Sequence, residues 1–373
     1  MNPFSKIISL FKKAPSVSTG GSDRVVGVDI GTSSIKLVEL RKKGGQAVLE
    51  TYSTLALGPY AQLPVGATTN LPSDVLVKAV TDAIREGNIV SKDAALSIPS
   101  SASLVFLVEL PGTIAEKDLA SVVPTEARKY IPVPISEVSL DYWVIPRKQE
   151  SFGETPAGMN PDKSEVLVAA IHNETLEKYR SVGTSSGLSA NTFEIEVFSA
   201  IRSTFSRELS AVLLIDFGAS KTKLAVVEYG IVRNFHIINK GSYDITSTIS
   251  KAMSIPFEKA EDIKRRVGLL GTGEEKAASD TALLTVDYIL SEATSVIQNF
   301  ERKNNKALSK IILSGAGSLL AGFKDHATDV FKTEVVMGDP FEKVVVPEFV
   351  SKILAETGPE FAVALGLALR KLD

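Results

Sequence analysis

Two stretches of the chain set a carboxylate and a glycine at the end of an apolar run. In 25–40, VVGVDIGTSSIKLVEL, Asp29 is followed by Gly31, Thr32, Ser33, Ser34 and Lys36. In 213–229, LLIDFGASKTKLAVVEY, Asp216 is followed by Gly218, Ala219, Ser220, Lys221, Thr222 and Lys223. Each reads as strand, tight turn, strand. Turns made of glycine, alanine and hydroxyl residues leave backbone N–H groups unobstructed, so they can point at phosphate oxygens. A carboxylate beside such a turn can hold hydrated Mg²⁺, a hard cation that takes oxygen ligands and keeps several waters. Asp29 and Asp216 are the candidates for that metal. One Asp-x-Gly turn is common in structural hairpins; two at matched positions carry much more weight. The 187 residues separating Asp29 from Asp216 are about half of this 373-residue chain, as a duplicated lobe would require.

A third turn, Gly315-Ala316-Gly317, follows the apolar run IILS. It would bring bare backbone against a flat base or its ribose, although such strand-to-helix turns are common without any ligand. Glu261 and Lys264, three residues apart in KAEDIKRR, read either as a solvated ion pair worth a few tenths of a kcal/mol or as two polar groups facing a nucleoside. Glu194 and Glu196, in FEIEVFSAIRS, are the carboxylates placed to act as a general base or to orient water.

Composition narrows the chemistry. The chain has no cysteine, which excludes disulfides, thiolate metal sites and cysteine nucleophiles. Its three histidines, His172, His236 and His326, show no ligand spacing. A net charge of −3 argues against a nucleic-acid partner. Apolar residues make up 44%, enough for sizeable cores, yet no run approaches the roughly 20 residues of a spanning helix. Nor does the N-terminus read as a secretory signal, because Lys6 interrupts its apolar part. The expectation is a cytoplasmic protein.

The elements that must position these groups alternate strand and helix. Residues 1–13 place Phe4, Ile7, Ile8 and Phe11 on one helical face with Lys6, Lys12 and Lys13 elsewhere, a pattern suited to an acidic membrane surface or a partner. A linker, APSVSTGGS, follows. Ser73 reads as the cap of a helix that stops at Gly87. From SLVFLVELP the text changes to a small α+β block, in which Pro124 marks a helix start or kink. After the second hairpin, helices are expected near 246–267 and 279–303, and a last one in PEFAVALGLALRKLD.

In this order, the two hairpins, EIEVFSAIRS, IILSGAGSLLAGF and PEFAVALGLALR resemble the phosphate turns, connecting helices and adenosine turn of the actin/hexokinase-like ATPase superfamily. Within it, ARKYIPVPISEVSLDYWVI (127–145), EVLVAAIHNETLEKY and GDPFEKV resemble the PilM family of type IV pilus assembly proteins, over about 25–370. The resemblance implies an α/β, actin-like fold: two ribonuclease H-like lobes with an α+β subdomain inserted in the first. Its boundaries are 1–22 for the N-terminal segment and linker, 23–97 for the first-lobe core, 98–190 for the insertion and 191–210 for a connecting helix. The second lobe takes 211–245 for its core, 246–305 for a helical subdomain and 306–373 for the remaining core with the C-terminal connecting helix.

It also implies ATP and Mg²⁺ as cofactors, with Gly31 to Ser34, Lys36, Gly218 to Thr222, Glu261, Lys264 and Gly315 to Gly317 at the nucleotide, and Glu196 and Asp216 as catalytic groups of an at most slow ATPase. The implied partner is the cytoplasmic N-terminal tail of a PilN-like single-span membrane protein, held between insertion and first lobe, with Tyr130, Ile131 and Val133 among the walls. Cytoplasmic pilus ATPases and self-association are further implied partners, at the inner face of the inner membrane. Two departures stand out: Ala316 replaces a usual glycine, and Lys221 occupies a turn where small or hydroxyl residues are usual. Two other readings compete. One is a division anchor resembling FtsA, which shares the architecture but normally continues into an amphipathic tail. The other is a sugar kinase, whose zinc-dependent branch is excluded by the missing cysteines.

Overall fold

A computed structural model describes residues 23–145, 163–206 and 210–372. The N-terminal amphipathic segment and linker lie outside them. The first lobe opens with β1 (Arg24–Ile30), β2 (Ser34–Lys43) and β3 (Gln46–Ala56). Six consecutive buried residues in β1 and in β2 mark strands covered on both faces, whereas β3 is half-buried throughout most of its length. α1 (Ser73–Glu86) buries Leu76, Ala79, Val80 and Ala83, one face of a helix. Ser73 is its first helical residue rather than its cap: Pro72 holds the cap position, and no side chain accepts from the first turn. β4 (Asp93–Ile98) returns parallel to β1.

The insertion follows: β5 (Ser103–Pro111), α2 (Leu119–Ala127), β6 (Val138–Val144) and β7 (Lys163–His172), an antiparallel sheet in the order β5-β7-β6. α2 starts before Pro124 and carries it inside. An interior proline costs about 3 kcal/mol. Leu119, Val123 and Ala127 all enter the insertion's core, and full burial of a leucine or valine side chain returns about 1.5–3 kcal/mol each. The other face of this sheet, with Trp143, Leu167, Ala169 and Ile171, packs into the main core of the first lobe. α3 (Asn173–Ser185), which the sequence reading put with the insertion, packs against α1 and against β8 (Ser189–Ile195), the last strand of the first sheet, and α4 (Glu196–Thr204) follows.

The second lobe repeats the plan with β9 (Val212–Phe217), β10 (Thr222–Glu228) and β11 (Ile231–Ile238). Then come α5 (Ser242–Met253), α6 (Phe257–Val267), α7 (Lys276–Asn304), β12 (Lys310–Ser314), α8 (Phe323–Phe331), β13 (Val335–Met337), α9 (Glu348–Thr357) and α10 (Ala362–Leu372). The sheet orders are β3-β2-β1-β4-β8 and β11-β10-β9-β12-β13, the same topology twice. α10 crosses back over β1 and beside α4. A Cβ on Gly27 would lie 1.9 Å from the carbonyl oxygen of Ala364, and one on Gly366 would lie 1.9 Å from that of Ser199, so both contacts require glycine. Among the described residues no helix is long and apolar enough to cross a membrane.

Candidate functional site

The two hairpins have one geometry. Asp29 pairs with Lys36 and Ile30 with Ile35 across the first; Asp216 pairs with Lys223 and Phe217 with Thr222 across the second. Each turn is closed by its glycine, whose N–H donates over 3.0 Å to the carbonyl of Ser34 or of Lys221. The tips meet: the hydroxyl of Thr32 donates to Ser220 Oγ at 3.1 Å. Between them lies a cleft of about 790 Å³, lined by both turns, both carboxylates and both lysines, together with Glu196, Glu261, Lys264 and Gly315 to Gly317.

The ionic state of the two sides differs. Lys223 Nζ lies 3.0 Å from Asp216 Oδ2 and 3.0 Å from Glu196 Oε2, so it bridges the second hairpin to α4. Burial alone would lower its pKa, but the two carboxylates outweigh burial and raise it. Asp29 makes no hydrogen bond to Lys36. It accepts instead from the hydroxyl of Ser97 at 2.9 Å, while Lys36 Nζ donates to Ser34 Oγ at 2.9 Å. Burial pushes the Asp29 carboxyl up to about 6, helped by the charge of Glu196 and opposed by Lys36 and Lys223. Glu196 is fixed from two directions, since Oε1 also accepts from Ser100 N–H at 2.8 Å.

Glu261 is a hub. Thr246 Oγ1 and Lys264 Nζ each donate to Oε2 at 2.6 Å, and Arg265 Nε donates to Oε1 at 2.6 Å. Burial would raise its pKa; Lys264 and the other donors outweigh that and hold it low. The pair is therefore buried within the cleft wall, not a solvated surface pair. Gly66, with φ +92°, comes from the first lobe so close that a Cβ would lie 2.8 Å from the Glu261 carboxyl carbon. Gly315, at φ +82°, and Gly317 are required by the second hairpin: their Cβ positions would meet Asp216 Oδ1 at 2.5 Å and the Phe217 ring at 2.6 Å. Ala316, the departure from glycine, sits between them, exposed, and lines the cleft.

Two expected groups are elsewhere. Thr222 is fully buried and its hydroxyl donates to the Lys240 carbonyl at 2.9 Å, because strand alternation turns it away from the face that carries Lys223. Glu194 is held inside by both guanidinium nitrogens of Arg202, by Ser199 and by Arg370, tying α4 to α10 rather than facing the cleft. Lys221 lines the cleft, but its Nζ donates to Asn239 Oδ1 at 2.7 Å. Of the suggested groove residues, Ile131 is buried in the insertion's own core, Val133 packs against it, and half-exposed Tyr130 stacks on Phe106. Sequence reasoning missed Ser97 and Glu360. Glu360 lines the cleft, and burial raises its pKa against the pull of Lys36 and Arg265.

The donor set fits a nucleoside polyphosphate: two bare-backbone turns, two lysines and a cleft large enough for a cofactor of that size. No group of three or more carboxylate or imidazole side chains forms a cage among the described residues. Mg²⁺ typically binds through one or two carboxylates plus substrate phosphates. Asp29 and Asp216 would supply those carboxylates.

Two lobes of one sheet order, each presenting an Asp-x-Gly turn to a shared cleft, define a protein of the actin-like fold. The family model for type IV pilus assembly protein PilM matches residues 27–372, and the chain belongs to that family. Among solved structures, a PilM-PilN type IV pilus biogenesis complex has a TM-score of 0.77 at 25% identity, covering 94% of this chain and 98% of that one. MreB5 of Spiroplasma citri bound to AMPPNP, at 12% identity and TM-score 0.53 over 93% of this chain and 95% of its own, is alike in fold alone. The cell division protein FtsA of Helicobacter pylori is 24% identical over 246 residues, 58% of this chain; the chain spans 49%, about half, of that relative's length.

Proposed function

We propose that the protein is a nucleotide-dependent adaptor of a type IV pilus or related secretion or competence machine. It binds ATP with Mg²⁺ in the cleft and receives the cytoplasmic N-terminal tail of a PilN-like single-span protein at the inner face of the cytoplasmic membrane. The observation that carries this reading is the insertion's double attachment. One face of its sheet shares the first lobe's core, and Glu165 on β7 accepts from Arg233 of the second lobe at 2.6 Å. In this reading, closing or opening the cleft would move the walls of a groove beside the insertion.

In this mechanism the turns at Gly31 to Ser34 and Gly218 to Ser220 bind phosphate oxygens through backbone N–H groups. Asp29 and Asp216 would hold the metal. Glu261, Lys264 and the Gly315 to Gly317 turn face the nucleoside. Glu196, fixed by Ser100 and Lys223, is aimed to orient a water. When bound, Mg-ATP would supply negative charge for the N–H groups of both turns, which would favour the arrangement in which the two turns face each other. A ligand that binds only this arrangement stabilises it by about 2.7 kcal/mol at a hundredfold excess over Kd. Fast hydrolysis is not needed for that.

Calorimetric titration with a PilN-type tail peptide, with and without Mg-ATP, tests the reading. Micromolar binding that changes with nucleotide supports it. No heat in either condition would reject the adaptor role. The likeness to FtsA favours a second reading, a filament-forming membrane anchor. Sedimentation with anionic vesicles, in the absence of any peptide, would be its signature.

A further inference from the structure

The outer face of α9 is apolar and uncovered. Leu354 is buried, and Val350 packs against the cluster formed by Val25, Leu40, Leu49 and Phe341. On the opposite side Phe349 and Ile353, one helical turn apart, are 83% and 52% exposed, and Phe349 is the most exposed large apolar side chain among the described residues. Val345, just before the helix, is 46% exposed. Single exposed apolar residues need no explanation, but neighbours on one face mark a contact surface. The exposed charged residues of the same segment are Glu342, Glu348 and Glu356 with Lys343 and Lys352, so its net charge is −1, opposite in sign to residues 1–13.

We propose that this face docks the chain's own N-terminal segment, residues 1–13. The sequence of that segment supplies the complement: Phe4, Ile7, Ile8 and Phe11 at helical spacing, Lys6, Lys12 and Lys13, and no acidic residue before Asp23. Reach is short. The carbonyl of Asp23 accepts from Lys42 N–H at 2.7 Å, Lys42 pairs with Ala47, and the carbonyl of Ala47 accepts from Val345 N–H at 2.9 Å. Asp23 and Val345 are thus three strand spacings apart, about 14 Å. Residues 14–22 can span up to about 30 Å. Tethering at that distance gives an effective concentration of about a millimolar, so a weak contact is enough to hold the segment. While docked, its apolar face is withheld from membranes and other proteins.

The missing cysteines make the test clean. In the full chain carrying Ile8→Cys and Ile353→Cys, mild oxidation should give an intramolecular disulfide at a rate independent of protein concentration and slowed by salt. In the unsubstituted chain, amide exchange over 349–353 should be several-fold slower than in a chain lacking residues 1–13. Disulfides formed only between molecules would overturn the proposal in favour of a second copy. Exchange that ignores the truncation, or slows only when anionic vesicles are added, would overturn it as well.

Discussion

The two Asp-x-Gly hairpins share sequence pattern, strand register and turn closure, yet they hold their charges differently. In the second, Lys223 closes an ion pair with Asp216 and reaches Glu196 on α4. In the first, Lys36 turns to Ser34 and leaves Asp29 to the hydroxyl of Ser97. The difference comes from what each hairpin meets. Glu196 leans on the second from another element, whereas β4 offers the first a serine. A duplicated backbone therefore carries two phosphate turns of unequal electrostatics: one carboxylate is already neutralised by a lysine, and the other is buried without a direct ionic partner.

That asymmetry can be broken on its stronger side first. Lys223→Met strands the buried Asp216 and removes a partner of part-buried Glu196, and should cost about 3–5 kcal/mol of unfolding free energy. Lys36→Met loses one hydrogen bond to a neutral hydroxyl and should cost about 1 kcal/mol. Equal losses in urea denaturation would show that the two lysines are equivalent after all.

A buried carboxylate outside the hairpins gives a reference for an unpaired charge. Asp141, on β6, keeps one oxygen without a partner, and burial pushes its pKa up to about 7, against Tyr142 N–H and Arg370. Asp141→Asn should stabilise the protein by about 1–3 kcal/mol at pH 8 and little at pH 5. A loss of stability at pH 8 would mean the charge is compensated.

Asp29 gives the corresponding pH signature within the site. Burial holds its folded pKa at about 6, above the ordinary carboxylate value of 3.8, so between the two the folded state holds a proton that the unfolded chain releases. Stability from this group is complete below pH 4 and is lost as pH rises through 6. Asp29→Asn should flatten the stability curve between pH 4 and 6, as read by urea denaturation across that range; an unchanged slope would mean that Asp29 is not its source. The smallest expected effect is at the tips. A double-mutant cycle of Thr32→Ala and Ser220→Ala should give a coupling of about 0.5 kcal/mol, and zero coupling would mean the hydroxyl contact contributes nothing to holding the lobes together.

Much of this was legible in the sequence, because the hairpin signals are local. The spacing of Asp, Gly and Lys is set within eight residues and fixes both register and turn. The partners were not legible: Ser97 lies 68 residues from Asp29, and Glu196 lies 27 from Lys223. For Glu261 and Lys264 the sequence leaves a solvated pair and a nucleoside-facing pair both open, because nothing local announces that Thr246 and Gly66 close over them. Thr222 was open to better reading, since alternation along β10 already sets it opposite Lys223. Glu194 was not: its burial depends on Arg202 and Arg370 meeting where α4 and α10 cross.

Nucleotide should be held only when both unequal hairpins contribute. Thermal unfolding of the wild type, Asp29→Ala and Asp216→Ala, each with and without Mg-ATP, tests it most directly. A nucleotide-dependent rise in melting temperature is expected for the wild type and none for either variant. A variant that keeps the full rise would show that one hairpin suffices and that the matching carboxylate does not hold the metal.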